Sequence, residues 1–461
     1  MKIVVIGDGK VGYTITQALS AEGHDLVVID NRKEALSLAE EQLDVIVMEG
    51  NGASTAVQKL AGVGESDLMI AVTNADELNL MCCIVAKKLG CKHTIARIRN
   101  PEYADELYLL RDELGLSMTV NPERSAAHEI FRLLQFPSFL KRDVFAKGRG
   151  EIVCLPVRSG SKLDGMVLQQ LYTTLKIRVL VCAVERGSDI FIPAGDFTLL
   201  AGDHIYVTAT TYDLVSLVKR MELETAKIRS VMIIGGSHIA YYLSQMLDKA
   251  GIRVKLIEQN MEKCRKLSET LPNTTIIHAD GTSFSTLMSE GLNEEDAIVT
   301  LTNMDEQNLI ISVYANHIHV PKVITKINRV EYGEILHDAG AECTISPRLL
   351  TSNNILRFVR AMENRYDESV ITLHRMVNER VEAVEFRTTS ATRYLGVPLK
   401  DIPLKKNLRI ALITHQNGVI VPRGSDCFYE GDMVVVVTLA ENRLTNLNDI
   451  FIPTSQGGAE A

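Results

Sequence analysis

Residues 2–12 read KIVVIGDGKVG. A short β-branched, apolar run breaks on Gly7-Asp8-Gly9-Lys10-Val11-Gly12, and an amphipathic stretch follows from about Val11 to Ala21. An apolar strand that ends on G-x-G-x-x-G and opens a helix is the start of a dinucleotide-binding βαβ unit. Gly7 permits the tight turn, Gly9 lets the backbone approach a pyrophosphate, and Gly12 allows the helix to pack close to the strand. Phosphate charge then meets the positive helix N-terminus. Working outward, Leu26–Ile29, a helix near Lys33–Glu41 and Val45–Met48 continue the alternation, which predicts a doubly wound parallel sheet.

The same pattern returns later in the chain. VVIG at 4–7 aligns with MIIG at 232–235 at an offset of 228. At an offset of 229, AVTNADELN (71–79) aligns with TLTNMDEQN (300–308), ARIRNPEYADEL (96–107) with TKINRVEYGEIL (325–336), and IPAGDFTLLAGDHIYV (192–207) with VPRGSDCFYEGDMVVV (421–436). Several blocks at one spacing, shifted by a single residue near the start, mean a duplication. The second part of each copy has short strands separated by turn signals such as Gly202-Asp203, Asn417-Gly418 and Gly431-Asp432. The fold class is therefore α/β: two tandem Rossmann-like domains (1–123 and 229–347), each followed by a small α+β lobe (145–225 and 367–452). Amphipathic helices over 125–145 and 349–365 are expected as connectors or dimerisation helices.

In the first copy the candidate nucleotide site comprises Gly7, Asp8, Gly9, Lys10, Val11, Gly12, Asp30, Asn31, Thr73, Asn74 and Arg97. Asp30 ends the second strand 18 residues after Gly12, where a carboxylate accepts ribose hydroxyls and disfavours a 2′-phosphate, although Arg32 nearby weakens that preference. Thr73 and Asn74 follow an apolar run, and Arg97 ends the next strand, so all three fall at the carboxyl edge of the sheet, with Arg97 suited to a phosphate. The second copy offers Gly235, Gly236, Ser237, His238, Ile239, Glu258, Thr302, Asn303 and Lys326. It departs from the first at Ser237, which brings a side chain to the phosphate loop, at Ala240 in place of the third glycine, at Asp280-Gly281 for Asn51-Gly52, and at Lys326, which lacks the guanidinium fork. A nucleotide of different affinity, or a purely structural domain, are the two readings of that copy.

Composition removes several function classes. A net charge of -9 with no basic cluster argues against nucleic acid as a partner. Cysteines at 82, 83, 91, 154, 182, 264, 343 and 427 form no C-x-x-C pair, so neither zinc nor a disulfide framework is expected, and Cys82-Cys83 reads as helix packing. No apolar run reaches the roughly 18 residues of a membrane helix, nor is there a signal-peptide core. His204 reads as a surface or packing residue, and His317 and His319 as exposed rather than as a metal pair. No G-x-x-x-x-G-K-[ST] loop is present, and the lobes carry no proton-donor cluster of the kind a dehydrogenase needs, so no catalytic residue is assigned.

The order GDGKVG, Asp30, Gly50-Asn51-Gly52, AVTNADELN and ARIRNPEY, followed by a lobe and then repeated, resembles the tandem RCK (KTN) domains of Trk potassium-uptake regulators over nearly all of the chain. That resemblance implies a cytoplasmic regulatory subunit, peripheral at the inner face of the membrane, assembled as a ring beneath a Trk-type channel subunit. It implies NAD or NADH, or ATP or ADP, as ligand, with contacts at Gly7 through Val11, Asp30, Thr73, Asn74 and Arg97. An NAD-dependent oxidoreductase and a gating module of another potassium transporter are the alternatives. Whether the lobes take a second messenger is left open.

Overall fold

The computed structural model describes residues 1–104, 111, 113–145, 150–221, 227–329, 343–363, 370–377, 380–416, 418–442 and 444–452. The ends of two repeated blocks (105–107 and 330–336) and Asn417 of the expected Asn417-Gly418 turn lie outside them. In chain order, strands β1 (Lys2–Ile6), β2 (Asp25–Asp30), β3 (Ile46–Glu49), β4 (Leu68–Ala71), β5 (His93–Arg97) and β6 (Met118–Val120) make the first sheet. β7 (Lys141–Phe145), β8 (Gly150–Pro156), β9 (Leu180–Arg186), β10 (Asp189–Phe191) and β11 (His204–Thr210) make the second. β12 (Ser230–Ile234), β13 (Arg253–Glu258), β14 (Thr275–His278), β15 (Ala297–Thr300), β16 (Lys322–Lys326) and β17 (Thr344–Ile345) make the third. β18 (Val370–Met376), β19 (Val381–Arg387), β20 (Leu408–His415), β21 (Gly418–Ile420) and β22 (Met433–Leu439) make the last.

Contacts group these sheets into two compact units. One holds Met1–Phe131, Arg229–Asn328 and Thr344–Phe358; the other holds Arg132–Ile228, Arg329–Cys343 and Val359–Ala461. In the first unit the strand orders are β3-β2-β1-β4-β5-β6 and β14-β13-β12-β15-β16-β17, with parallel neighbours throughout. Continuous apolar runs suit central parallel strands, which are covered on both faces, and β4 and β15 are buried at every position. β2 and β13 even share one burial pattern, residue by residue. The strand order reverses beside β1 and β12, which places a crevice at the carboxyl end of each.

In the second unit both sheets are antiparallel, ordered β10-β9-β11-β8-β7 and, read from its other edge, β21-β20-β22-β19-β18. The two lobes therefore share one topology. The repeated Gly-Asp signal has a structural purpose here. Gly202 and Gly431 adopt positive φ (90° and 86°), and the next residue is a buried aspartate. Asp203 accepts the Leu200 N–H (2.9 Å) and pairs with Arg186, while Asp432 accepts the Tyr429 N–H (2.7 Å) and lies 2.8 Å from His415 Nδ1. His204 is buried in this sheet with its Nδ1 3.7 Å from Glu185, which makes it a packing residue.

The helix expected over 125–145 divides in two. A helix runs Pro122–Gln135, residues 136–140 turn, and Lys141–Phe145 is the edge strand β7, paired antiparallel with β8. Pro137 explains the break, since proline disfavours helical backbone at the residue before it. The helix starts early because Asn121 Oδ1 accepts the Arg124 N–H (2.8 Å) and Pro122 needs no donor at the first position. The second connector helix runs Pro347–Glu363. Every cysteine but Cys427 is buried, and burial pushes the Cys82 thiol up to about 12. Among the described residues no helix is long and apolar enough to cross a membrane, and no group of metal-ligating side chains forms.

Candidate functional site

The crevices of the two Rossmann domains open into one cavity of about 1190 Å3 within the first unit. That lies slightly above the roughly 300–1000 Å3 of a usual small-molecule site. Of the glycine-loop and sheet-edge residues singled out from sequence, all line this cavity except Asp8, Gly12 and Ala240, which are buried. A Cβ on Gly12 would collide with the Gly7 carbonyl, so this glycine serves the close helix approach. Gly7 has φ 98°, and a Cβ there would come within 2.9 Å of Thr73 N.

Gly9 is different. Its φ of -75° suits any residue, and a Cβ there would meet nothing within 4 Å. It precedes the helix Lys10–Ala21, whose N-terminus has no side-chain cap. The chain itself does not require glycine here; the missing side chain leaves open room against free N–H groups. In the second copy Ser237 takes this place, and its hydroxyl accepts the Ala240 N–H, capping the helix His238–Lys249. Its side chain is thus turned onto the helix, and one donor is already used.

The ribose-end acids are braced alike. Asp30 Oδ2 accepts the Asp8 N–H (2.8 Å) and Oδ1 the Arg32 N–H (3.0 Å). Glu258 accepts the Gly236 N–H (2.8 Å) and the Asn260 N–H (2.7 Å). Two carboxylate oxygens offer about four acceptor positions, which leaves capacity for ribose hydroxyls. Asp8 is buried with neither carboxylate oxygen hydrogen-bonded, and burial, reinforced by Asp30, pushes its pKa up to about 6. Gly236 occupies that place in the second copy, where a Cβ would crowd Leu267 and the longer Glu258.

The repeated T-N-x-D-E-x-N block is a bolt as well as a lining. Thr73 donates its N–H to Asn79 Oδ1 (2.8 Å) and its hydroxyl to the same oxygen (2.7 Å), while Asn79 Nδ2 donates to the Arg97 carbonyl (2.9 Å). Thr302, Asn308 and Lys326 repeat these bonds at 2.9, 2.8 and 2.9 Å. Asp76 and Asp305 accept the backbone N–H groups of Arg99 and Asn328, both at 2.8 Å. Sequence reasoning passed over Asn79, Asn308, Asp76 and Asp305, although all four stand inside the repeated block. Asn74 and Asn303 are exposed at the cavity edge, and the Asn74 carbonyl accepts a hydrogen bond from Arg99.

At the far end Arg97 is buried, with Nη2 3.5 Å from Glu123. Burial lowers the guanidinium pKa, and Glu123 opposes that. Lys326 is also buried; it donates to the Thr302 carbonyl (2.6 Å), and burial lowers its pKa. Glu123 and Arg348, which follow the paired prolines Pro122 and Pro347, line the same cavity and were also missed.

Two doubly wound domains with facing crevices, each joined to a five-stranded antiparallel lobe, define a tandem RCK-type protein. The TrkA-N domain model matches residues 3–122 and 231–347, and the TrkA-C domain model matches 152–220. The chain is 34% identical to a Trk system potassium uptake protein TrkA homolog of Archaeoglobus fulgidus, over 98% of this chain and all of that protein. It is 32% identical to TrkA homolog 2 of Methanosarcina mazei (95% and 98%) and 29% to TrkA of Halomonas elongata (98% of each). The chain belongs to the TrkA family of Trk-system potassium uptake proteins. Its fold is that of the GsuK RCK domain crystal structure, with a TM-score of 0.62 at 18% identity over 95% of this chain and 92% of that one. A GsuK channel structure bound to NAD superposes with a TM-score of 0.61 at 18% identity, over 95% and 77%.

Proposed function

We propose that the first crevice binds NAD or NADH, or ATP or ADP, and that its occupancy regulates an attached Trk-type potassium channel subunit from the inner face of the membrane. The open room at Gly9, against an uncapped helix N-terminus and across from Asp30, carries this reading: it suits a pyrophosphate with a ribose beside it. Binding rather than turnover is proposed, because the repeated residues of the site brace backbone or meet phosphate and ribose. The second crevice binds more weakly, since Ser237 already fills one helix donor and Lys326 is tied to the Thr302 carbonyl.

Eight Rossmann units from four chains close a ring, a symmetric assembly through which two shapes can be passed to a membrane partner. Light scattering of the full chain is expected to give a tetramer, or a dimer in exchange with one; a strict monomer at micromolar concentration, with and without nucleotide, is incompatible with the ring.

Arg97 reads the phosphate tail, as the cation buried at that end of the first crevice. Removing it leaves Glu123 without its guanidinium, so the test pairs two variants. In potassium flux through the reconstituted channel, Arg97→Ala is expected to flatten the difference between ATP and ADP. Arg97→Lys keeps the charge beside Glu123 but loses the fork, and should retain part of it. Coupled sites typically differ by roughly 5- to 150-fold. An undiminished difference in Arg97→Ala assigns the phosphate to another residue.

A further inference from the structure

The strand ladder at the far end of the first crevice is finished by a residue of the second copy. β5 and β6 pair as far as Arg97 and Val120, and a last backbone bond runs from the Ile98 N–H to the Val120 carbonyl (2.9 Å). The next rung is the hydroxyl of Tyr242. It accepts a hydrogen bond from Asn121 Nδ2 (3.1 Å) and donates one to the Arg99 carbonyl (3.3 Å). Tyr242 is buried in the helix His238–Lys249, one turn after the second glycine loop. Burial raises its phenol pKa, so the hydroxyl keeps the proton it donates.

Both segments that this hydroxyl joins carry groups of the first crevice. Arg99, two residues beyond Arg97, gives its N–H to Asp76 and its guanidinium to the Asn74 carbonyl. Asn121 caps the helix that brings Glu123 to 3.5 Å from Arg97. Arg97 Nε is buried there with no hydrogen-bond acceptor among the described residues. The support runs one way. Thr14 holds the place of Tyr242 in the first copy at the offset of 228, and its hydroxyl turns back to the Lys10 carbonyl (2.9 Å) on its own helix. Asn328, in the place of Arg99, closes onto Asp305 of its own copy (3.0 Å).

Resting on the nucleotide reading of the first crevice, we propose that Tyr242 is a positioning residue for the ligand's phosphate tail there. Its hydroxyl clamps the segments beyond β5 and β6 and so holds Arg97 ready beside Glu123, which spares an arriving tail the ordering of that cation. The ribose end lies outside the clamp, because Asp30 ends β2, three strands away from β5. The second copy thus serves the selectivity of the first crevice.

Calorimetry of the full chain with ATP, and with AMP as the short-tailed control, tests this. Tyr242→Phe keeps the ring and loses only the hydroxyl. The ATP event that Arg97→Ala weakens should be about five- to tenfold weaker in Tyr242→Phe, the span of one net hydrogen bond, while AMP stays within about twofold. Added to Arg97→Ala, Tyr242→Phe should change ATP by less than about twofold, because a residue that acts through Arg97 is not additive with it. Asn121→Ser keeps a helix cap but is too short to reach Tyr242, and should reproduce part of the ATP loss; it decides the matter if Tyr242→Phe fails to fold. Equal losses of ATP and AMP, or no loss of either, overturn the proposal, as does an ATP loss that persists undiminished in Arg97→Ala. In those outcomes the nucleotide reading stands, since both ligands still bind. ATP binding that Arg97→Ala leaves unaltered overturns this proposal together with the phosphate role of Arg97, and no binding in any chain overturns the reading of the crevice as well.

Discussion

Replacing Asp30 by Ala is expected to weaken adenine-nucleotide binding at the first crevice by about 10- to 150-fold. The carboxylate holds the glycine loop through the Asp8 and Arg32 N–H groups, and on the proposed reading its remaining acceptor capacity takes the ribose. A hydrogen bond to a charged group contributes about 1.5–3 kcal/mol, and each 1.4 kcal/mol is a factor of roughly ten. Glu258→Ala should cost total nucleotide binding less. The two acids are braced by the same pair of bonds, so the difference arises at the loops: open at Gly9, capped by Ser237. Separate titrations of the two variants check the ranking. Equal losses would contradict it, and unaltered affinity in Asp30→Ala would remove Asp30 from the site.

Asn79→Ala is expected to destabilise the first Rossmann domain by about 2–4 kcal/mol. Asn79 is fully buried, and its carboxamide is the link between the ends of β4 and β5. Truncation strands the Thr73 N–H and the Arg97 carbonyl, and each buried group left unpaired costs about 1–3 kcal/mol. The effect is not confined to stability, because Thr73 and Arg97 both line the cavity. Thermal unfolding followed by circular dichroism should show the loss, with Asn308→Ala producing a similar one in the second domain. A melting curve that coincides with wild type would mean that water or neighbouring groups replace the bolt.

The repeat drew attention to this block, yet a repeated residue has two possible causes, and sequence does not separate them. Thr73 and Asn74 fall at the carboxyl edge of a strand, where ligands bind, whereas Asn79 stands one helical turn into Asp76–Leu89 and reads as one more polar position. Only the fold brings the Arg97 carbonyl to its side chain. The helix expected over 125–145 failed at Pro137 for a local reason that was legible in advance, since that proline stands inside the proposed helix. The same applies to Asn121, a capping residue directly before Pro122.

Much that is local was determined by the sequence alone. The glycine loop after an apolar run, the β-branched strands at regular spacing and the offset of 228–229 residues specify backbone conformation and burial pattern within short windows, and from these follow the doubly wound sheets, the duplication and nearly all of the first crevice. What the tertiary structure decided is which of these pieces face one another. The two crevices share a cavity, Glu123 meets Arg97 across 26 positions of chain, and Asp8 is pressed unpaired behind Asp30. Such outcomes depend on long-range packing of whole faces, where any one residue contributes little and no periodicity records the partner. Charge makes the point most clearly: Glu123 at the start of a helix is unremarkable in sequence, and meets the buried Arg97 only once the first sheet is folded.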